Sequence, residues 1–295
     1  MANRAIEMHR NGGEYVRVNG LNIFYRKAGE ADGIPVVMTH GIPRSSFLYR
    51  KVIPLIAERY RVIAWDLYGF GLSDKPDDNS YNFRNFEKFF GDFLNALNIE
   101  KAHLVCHDVG GPFTIGYAVH NPERVATLTI LNTTIFWEHF HIPGPVAAAI
   151  ITPMVIHRVL PGRRNAELLL KYIRKLVHKN PQAMTPEEEE AYLELLTREN
   201  GFISLVKTLK SYRIVTPYLY EVRKDLMKFP RPVFVLWGKH DPYCRLPIAR
   251  SFRRTAPHAE LDVIESAGHF LQEDAPQQTA DRILDFIRRQ EEKGL

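Results

Sequence analysis

Short apolar runs rich in β-branched residues recur along the chain, and most are separated by longer segments whose apolar positions return every three or four residues. The runs are Glu14 to Val18, Leu21 to Arg26, Pro35 to Thr39, Arg61 to Trp65, Ala102 to Cys106, Ala126 to Leu131, Val233 to Trp237 and Glu260 to Ile264. Each has the length and composition of a strand, and their alternation with helical segments predicts an eight-stranded, mostly parallel sheet. The central runs are apolar at nearly every position, which suits strands covered by helices on both faces. Helices are expected at Phe83 to Leu97, Gly111 to His120 and Pro276 to Arg289, among others.

The alternation stops between Leu131 and Val233, where the pattern is helical throughout. Thr185-Pro186-Glu187 marks one helix start, with Thr as N-cap, Pro at the first helical position and acidic residues in the first turn. The expected organisation is a core of residues 1–132 and 230–295, with a helical cap at 133–229 inserted over the carboxyl ends of the strands. An independent helical domain is the alternative. The apolar stretch Val146 to Ile156, broken by Pro153, falls well short of the roughly 20 residues of a membrane span, and suggests instead a greasy pocket in the cap.

Composition narrows the picture further. A chain of 295 residues, 45% hydrophobic, suits one large α/β domain with an insertion. The net charge of +5 comes from scattered pairs such as Arg163-Arg164, Arg253-Arg254 and Arg288-Arg289, so no nucleic-acid stripe is expected. Only Cys106 and Cys244 are present, which predicts free thiols in a reducing compartment. The opening Met-Ala-Asn-Arg-Ala-Ile-Glu lacks the apolar core of a signal peptide. The expectation is a soluble, cytoplasmic protein with no membrane partner.

Candidate chemistry begins at Cys106-His107-Asp108-Val109-Gly110-Gly111, which follows an apolar strand and opens a helix. Small residues two before and two after Asp108 make the pattern of a nucleophile elbow, where a strained turn lifts one side chain above the sheet. A helix N-cap is the plainer role for Asp108. Gly238-Lys239-His240-Asp241-Pro242 follows the penultimate strand, and Ser266-Ala267-Gly268-His269-Phe270 follows the last. In a parallel sheet both loops sit beside the elbow, giving the chain order nucleophile Asp108, acid Asp241, base His269. Asp262 and Glu265 compete for the acid. No metal-ligand spacing, phosphate-binding loop or dinucleotide fingerprint appears, so no cofactor is expected.

His40-Gly41-Ile42-Pro43 stands directly after the third strand, and is followed by Phe47-Leu48-Tyr49-Arg50-Lys51-Val52-Ile53-Pro54 and by Trp65-Asp66-Leu67-Tyr68-Gly69-Phe70-Gly71-Leu72-Ser73-Asp74-Lys75-Pro76. These segments resemble the α/β-hydrolase family, specifically its haloalkane dehalogenase and epoxide hydrolase branch, over about Val18 to Thr133 and Val233 to Arg288. The resemblance implies the α/β-hydrolase fold with an inserted cap, Asp108 as nucleophile, and an oxyanion hole formed by the backbone N–H groups of Val109 and Ile42. An aspartate nucleophile leaves an ester that His269, oriented by Asp241, can hydrolyse with water.

Two leaving groups are then in play. Dehalogenases of this branch hold the halide with a Trp after the nucleophile and an Asn, Glu or second Trp elsewhere, whereas this chain has Val109 and Ile42 at the matching positions. Neither side chain can donate a hydrogen bond. Trp137 could compensate at the entrance of the cap, or could simply pack the cap. Epoxide hydrolases need an acid for the ring oxygen, and Leu209-Lys210-Ser211-Tyr212-Arg213 resembles the segment that carries such a Tyr. Tyr218 and Tyr220 compete with Tyr212 for that role, and His157 is nearest to the position of the second acid. The sequence therefore favours epoxide opening over dehalogenation, with a small apolar substrate and water as partners and homodimerisation left open. A hydrolase fold that binds a ligand without turning it over is the reading from another class.

Overall fold

Every one of the eight apolar runs forms a strand in the computed structural model, which describes residues 3–30, 32–78, 80–136, 162–180, 182–211 and 215–294. The strands are β1 (Gly13–Val18), β2 (Leu21–Ala28), β3 (Val36–Thr39), β4 (Val62–Trp65), β5 (Ala102–His107), β6 (Val125–Leu131), β7 (Val233–Gly238) and β8 (Glu260–Ile264). They build one sheet in the order β1-β2-β4-β3-β5-β6-β7-β8. β1 pairs antiparallel with β2, and β2 antiparallel with β4. All later ladders are parallel. β3 through β7 are buried at every residue, while the edge strands β1 and β8 are partly open.

Helices cover both faces. In the core they are α1 (Arg4–Asn11), α2 (Ile53–Ala57), α3 (Phe83–Ala96) and α4 (Gly110–His120). Between β6 and β7 lie α5 (Arg163–Val177), α6 (Pro186–Thr197), α7 (Gly201–Ser211) and α8 (Thr216–Leu226), and no strand occurs among the described residues there. After β7 come α9 (Leu246–Thr255), α10 (Leu271–Asp274) and α11 (Pro276–Glu291). One face packs α3, α4 and α9 on the sheet and the other packs α2 and α11. Phe86, Phe90 and Phe93 recur at helical spacing on α3; the Phe90 and Phe93 rings stack on Trp65 of β4 at 5.5 and 4.8 Å. Buried aromatics of this kind each remove about 150–250 Å² from water.

The start of α6 is the capping box its sequence predicts. Thr185 Oγ1 accepts from the Glu188 N–H at 3.2 Å, and the Thr185 N–H donates to Glu188 Oε2 at 2.8 Å. Arg50 ties the inserted helices to the core, reaching Glu188 of α6 at 2.8 Å and Glu273 of α10 at 2.9 Å. Lys51 adds a second cation 3.1 Å from Glu273, whose side chain is fully buried. Cys106 and Cys244 are buried free thiols. Among the described residues no helix is long and apolar enough to cross a membrane.

Candidate active site

Parallel pairing from β3 to β8 sends the loops after β3, β5, β6, β7 and β8 off one edge of the sheet, the edge where open α/β sheets bind ligands. Asp108, between β5 and α4, has φ of 50°. A non-glycine residue in that left-handed region costs about 1–3 kcal/mol and persists only where its surroundings hold it. Here the Asp108 N–H donates to Asn132 O at 3.3 Å, and Asp108 O accepts from the Gly111 N–H at 2.9 Å and from Thr133 Oγ1 at 2.5 Å. Close approach dictates the glycines around it. A Cβ on Gly110 would fall 2.4 Å from the His40 carbonyl oxygen, and one on Gly41 would fall 2.2 Å from Asp108 Oδ1.

The Asp108 carboxylate is divided between two kinds of partner. Oδ1 accepts from the Ile42 N–H at 2.8 Å, and the neighbouring Val109 N–H helps hold the carboxylate charged. Oδ2 lies 3.3 Å from His269 Nε2. On the far side of the imidazole, Nδ1 is 2.7 Å from Asp241 Oδ2. Asp241 is fully occupied in turn: Oδ1 accepts the N–H groups of Tyr243 and Cys244 at 2.7 and 2.9 Å, and Oδ2 accepts Asn132 Nδ2 at 2.7 Å. His40 fixes the turn that carries Ile42. Its Nε2 accepts the Leu67 N–H at 3.0 Å, so Nδ1 bears the proton and donates to Gly41 O at 2.7 Å. His107 donates from Nε2 to the His269 carbonyl at 2.9 Å.

Burial opposes charge on all three triad groups, yet the charges win. For His269, desolvation is outweighed by the carboxylates of Asp241 and Asp108, which raise its pKa to about 10. Asp108 and Asp241 are likewise desolvated, and the facing imidazole holds both below the usual carboxylate range. The two carboxylates thus favour the protonated form of the imidazole between them. Among the described residues, Asp241, Cys244 and His269 are the one grouping whose ligand-type atoms lie within 4.8 Å of one another. Asp241 and His269 already bond each other, and burial pushes the Cys244 thiol well up, favouring the neutral form that binds metal poorly.

Of the residues picked from sequence, Asp108, Asp241, His269, Ile42 and Val109 meet at one point. Asp262 pairs with Arg282, and Glu265 with Lys239, both away from His269. The Tyr218 hydroxyl is engaged elsewhere, donating to Glu87 Oε2 at 2.6 Å and lying 3.4 Å from Pro112 O, so it bridges α8 to α3 and α4. Tyr220 is exposed. Trp137, His157 and Tyr212 lie outside the described residues. Two residues at the site were not singled out from sequence. Asn132 binds Asp241 and, through Oδ1, the Gly238 N–H at 2.7 Å. Tyr243 sets its ring edge-on to His269 at 5.3 Å, and its hydroxyl has no partner among the described residues. A polar residue closing an apolar strand was the available signal for Asn132; nothing local marked Tyr243.

The chain is 31% identical over 289 residues to a cis-3-alkyl-4-alkyloxetan-2-one decarboxylase of Shewanella oneidensis, spanning 92% of this chain and 87% of that one. It is 27% identical to haloalkane dehalogenase 2 of Mycobacterium tuberculosis, over 87% of this chain and 88% of the other. The solved epoxide hydrolase CorEH superposes with a TM-score of 0.77 at 27% identity, covering 94% of this chain and 98% of that one. Residues 34–276 match the family model described as the alpha/beta hydrolase fold. With that match over most of its length, on an eight-stranded sheet of this order, the chain belongs to the α/β-hydrolase family.

Proposed function

We propose that the protein is a hydrolase that opens an epoxide to a vicinal diol through a covalent ester on Asp108. The observation that carries this reading is an aspartate on the elbow, with Oδ1 on the Ile42 N–H and Oδ2 beside His269. A carboxylate attacking saturated carbon leaves an ester, which water can cleave, whereas a serine would leave an inert ether. In the first step the Oδ2–C bond forms as the ring C–O bond breaks, and the departing alkoxide takes a proton from a hydroxyl donor.

Esterification neutralises Asp108, which removes one of the two anions that hold the proton on His269. The imidazole then passes that proton, through solvent, to the deprotonated hydroxyl donor and takes one from water, whose oxygen attacks the Asp108 carboxyl carbon. Negative charge collects on Oδ1, where the Ile42 N–H already points and the Val109 N–H is the proposed second donor; each such donor is typically worth about 3 kcal/mol. Collapse expels the product alkoxide, which takes the remaining proton of the attacking water to complete the diol, and leaves the Asp108 carboxylate beside a protonated His269.

Tyr212 remains the proposed proton donor for the ring oxygen, and Tyr243 is a second candidate beside His269. Burial, with the anions around it, raises the Tyr243 pKa and keeps its hydroxyl protonated. Halide release lacks such help, because the Val109 and Ile42 side chains offer no donor. One observation favours a second reading. The Shewanella relative is named for a four-membered cyclic ester, and loss of carbon dioxide from an oxetan-2-one gives an alkene with no water consumed.

Purified protein offered styrene oxide, 1-iodohexane and a cis-3,4-dialkyloxetan-2-one should form diol fastest. Iodide as the fastest product would move the assignment to dehalogenation, alkene to the second reading, and no product from any of the three to a binding protein.

A further inference from the structure

Arg44, two residues past Ile42, is a buried cation. Its residue is only 3% exposed, and no carboxylate among the described residues comes within ion-pair distance. The guanidinium is sandwiched between the Tyr192 ring at 3.9 Å and the Phe270 ring at 4.5 Å. Aromatic faces of this kind favour a cation but leave its N–H edge unsatisfied. One nitrogen, Nη2, lies 3.3 Å from His178 Nε2. His178 Nδ1 in turn bonds Asp274 at 3.1 Å, so Nε2 is the acceptor and Arg44 the donor. The Arg44 Nε–H has no acceptor at all among the described residues.

Arg44 lines a cleft of about 230 Å³ between α5 and α6. Leu170, Met184 and Leu193 give this cleft an apolar wall. Its other charges cancel in pairs across or along the two helices: Arg163 with Glu190, Lys171 with Glu167 and Arg174 with Glu189. Arg44 is therefore the one cation of the cleft without a carboxylate partner among the described residues. A planar guanidinium with both faces covered presents only its edge, which matches a planar carboxylate. A dianion would meet the three glutamates on the same rim, whereas a single carboxylate needs only the charge Arg44 supplies.

We propose that this cleft binds a carboxylate with a short apolar chain, the carboxylate on Arg44 and the chain along Leu170, Met184 and Leu193. The site stands apart from the ring-opening reading, since binding here needs no turnover at Asp108. The carboxylate belongs either to one end of the substrate or to a separate ligand, and the two sources are separable.

Calorimetric titration of the full chain with hexanoate should show saturable binding at least tenfold tighter than with hexanamide, which has the same chain and no charge. Arg44→Gln should erase that preference, with folding checked by circular dichroism. If that variant does not fold, the hexanoate and hexanamide pair on the unaltered protein still decides. Equal binding of the two, or no binding of either, would overturn the proposal. A KM for 5,6-epoxyhexanoate tenfold below that of its methyl ester, lost in Arg44→Gln, would assign the carboxylate to the substrate. Similar KM values alongside hexanoate binding would assign it to a separate ligand. Absence of turnover with both epoxides would count against the ring-opening reading alone.

Discussion

His269 holds its proton because carboxylates face it from both sides, at 2.7 Å from Asp241 and 3.3 Å from Asp108. Its folded pKa, raised to about 10 from 6.5, stabilises the fold fully below pH 6.5, and that contribution is lost as pH rises through about 10. The melting temperature should therefore fall between pH 7 and pH 10.5, and fall less in Asp241→Asn, where the proton is held less tightly. Parallel decline in both proteins would show that His269 is not its source. The same residue should separate the two chemical steps. His269→Gln keeps the nucleophile and removes the base, so an epoxide should leave an adduct on Asp108 in intact-protein mass spectrometry, with turnover reduced by about 10²–10⁴-fold. Full turnover without adduct would remove His269 from the mechanism. Asp108, His269 and Asp241 were legible in sequence because each ends an apolar strand in a loop that a parallel sheet brings to one edge. Asn132 and Tyr243 were not, since their importance depends on β6 lying between β5 and β7 and on how the loop after Asp241 curls back on the imidazole.

Element by element, the strands were legible to within one or two residues, because β-branched apolar runs have few other ways to satisfy their backbone. The antiparallel entry of β1 and β2, and the crossing that places β4 outside β3, were not, since pairing order depends on contacts distant in sequence. Equally hidden was how closely the elbow meets the turn after β3. With a Cβ, residue 110 would collide with the His40 carbonyl, so Gly110→Ala must push that turn away and carry the Ile42 N–H off Asp108. Loss of one oxyanion donor typically costs 10²–10³ in kcat, and Gly110→Ala should lose about that much. Steady-state kinetics would check it. A variant within threefold of the parent would show that the turn gives way without moving Ile42.

For the whole molecule, the inserted helices are held to the core by Arg50, with Glu188 on one side and buried Glu273 on the other. Removing one partner of a buried pair leaves the other charge uncompensated, at a cost of about 3–5 kcal/mol. Arg50→Met should approach the lower end because Lys51 still faces Glu273, and Arg50→Met with Glu273→Leu should recover part of the loss in urea unfolding. Equal loss in single and double variants would mean that packing, not charge, holds the clamp. Helices α5 to α8 were legible from the missing strands between β6 and β7, but which of their side chains turn toward Asp108 was not, because no short-range pattern fixes how helical side chains turn toward a distant strand end. The claim on which the rest depends is that Asp108 itself forms the ester. A single turnover in heavy-oxygen water, followed by mass analysis of the peptide containing Asp108, tests it most directly. Water attacking the Asp108 carboxyl carbon would leave one heavy oxygen on that side chain and none in the first diol released; label in the diol with an unlabelled Asp108 would mean that water attacks the substrate directly.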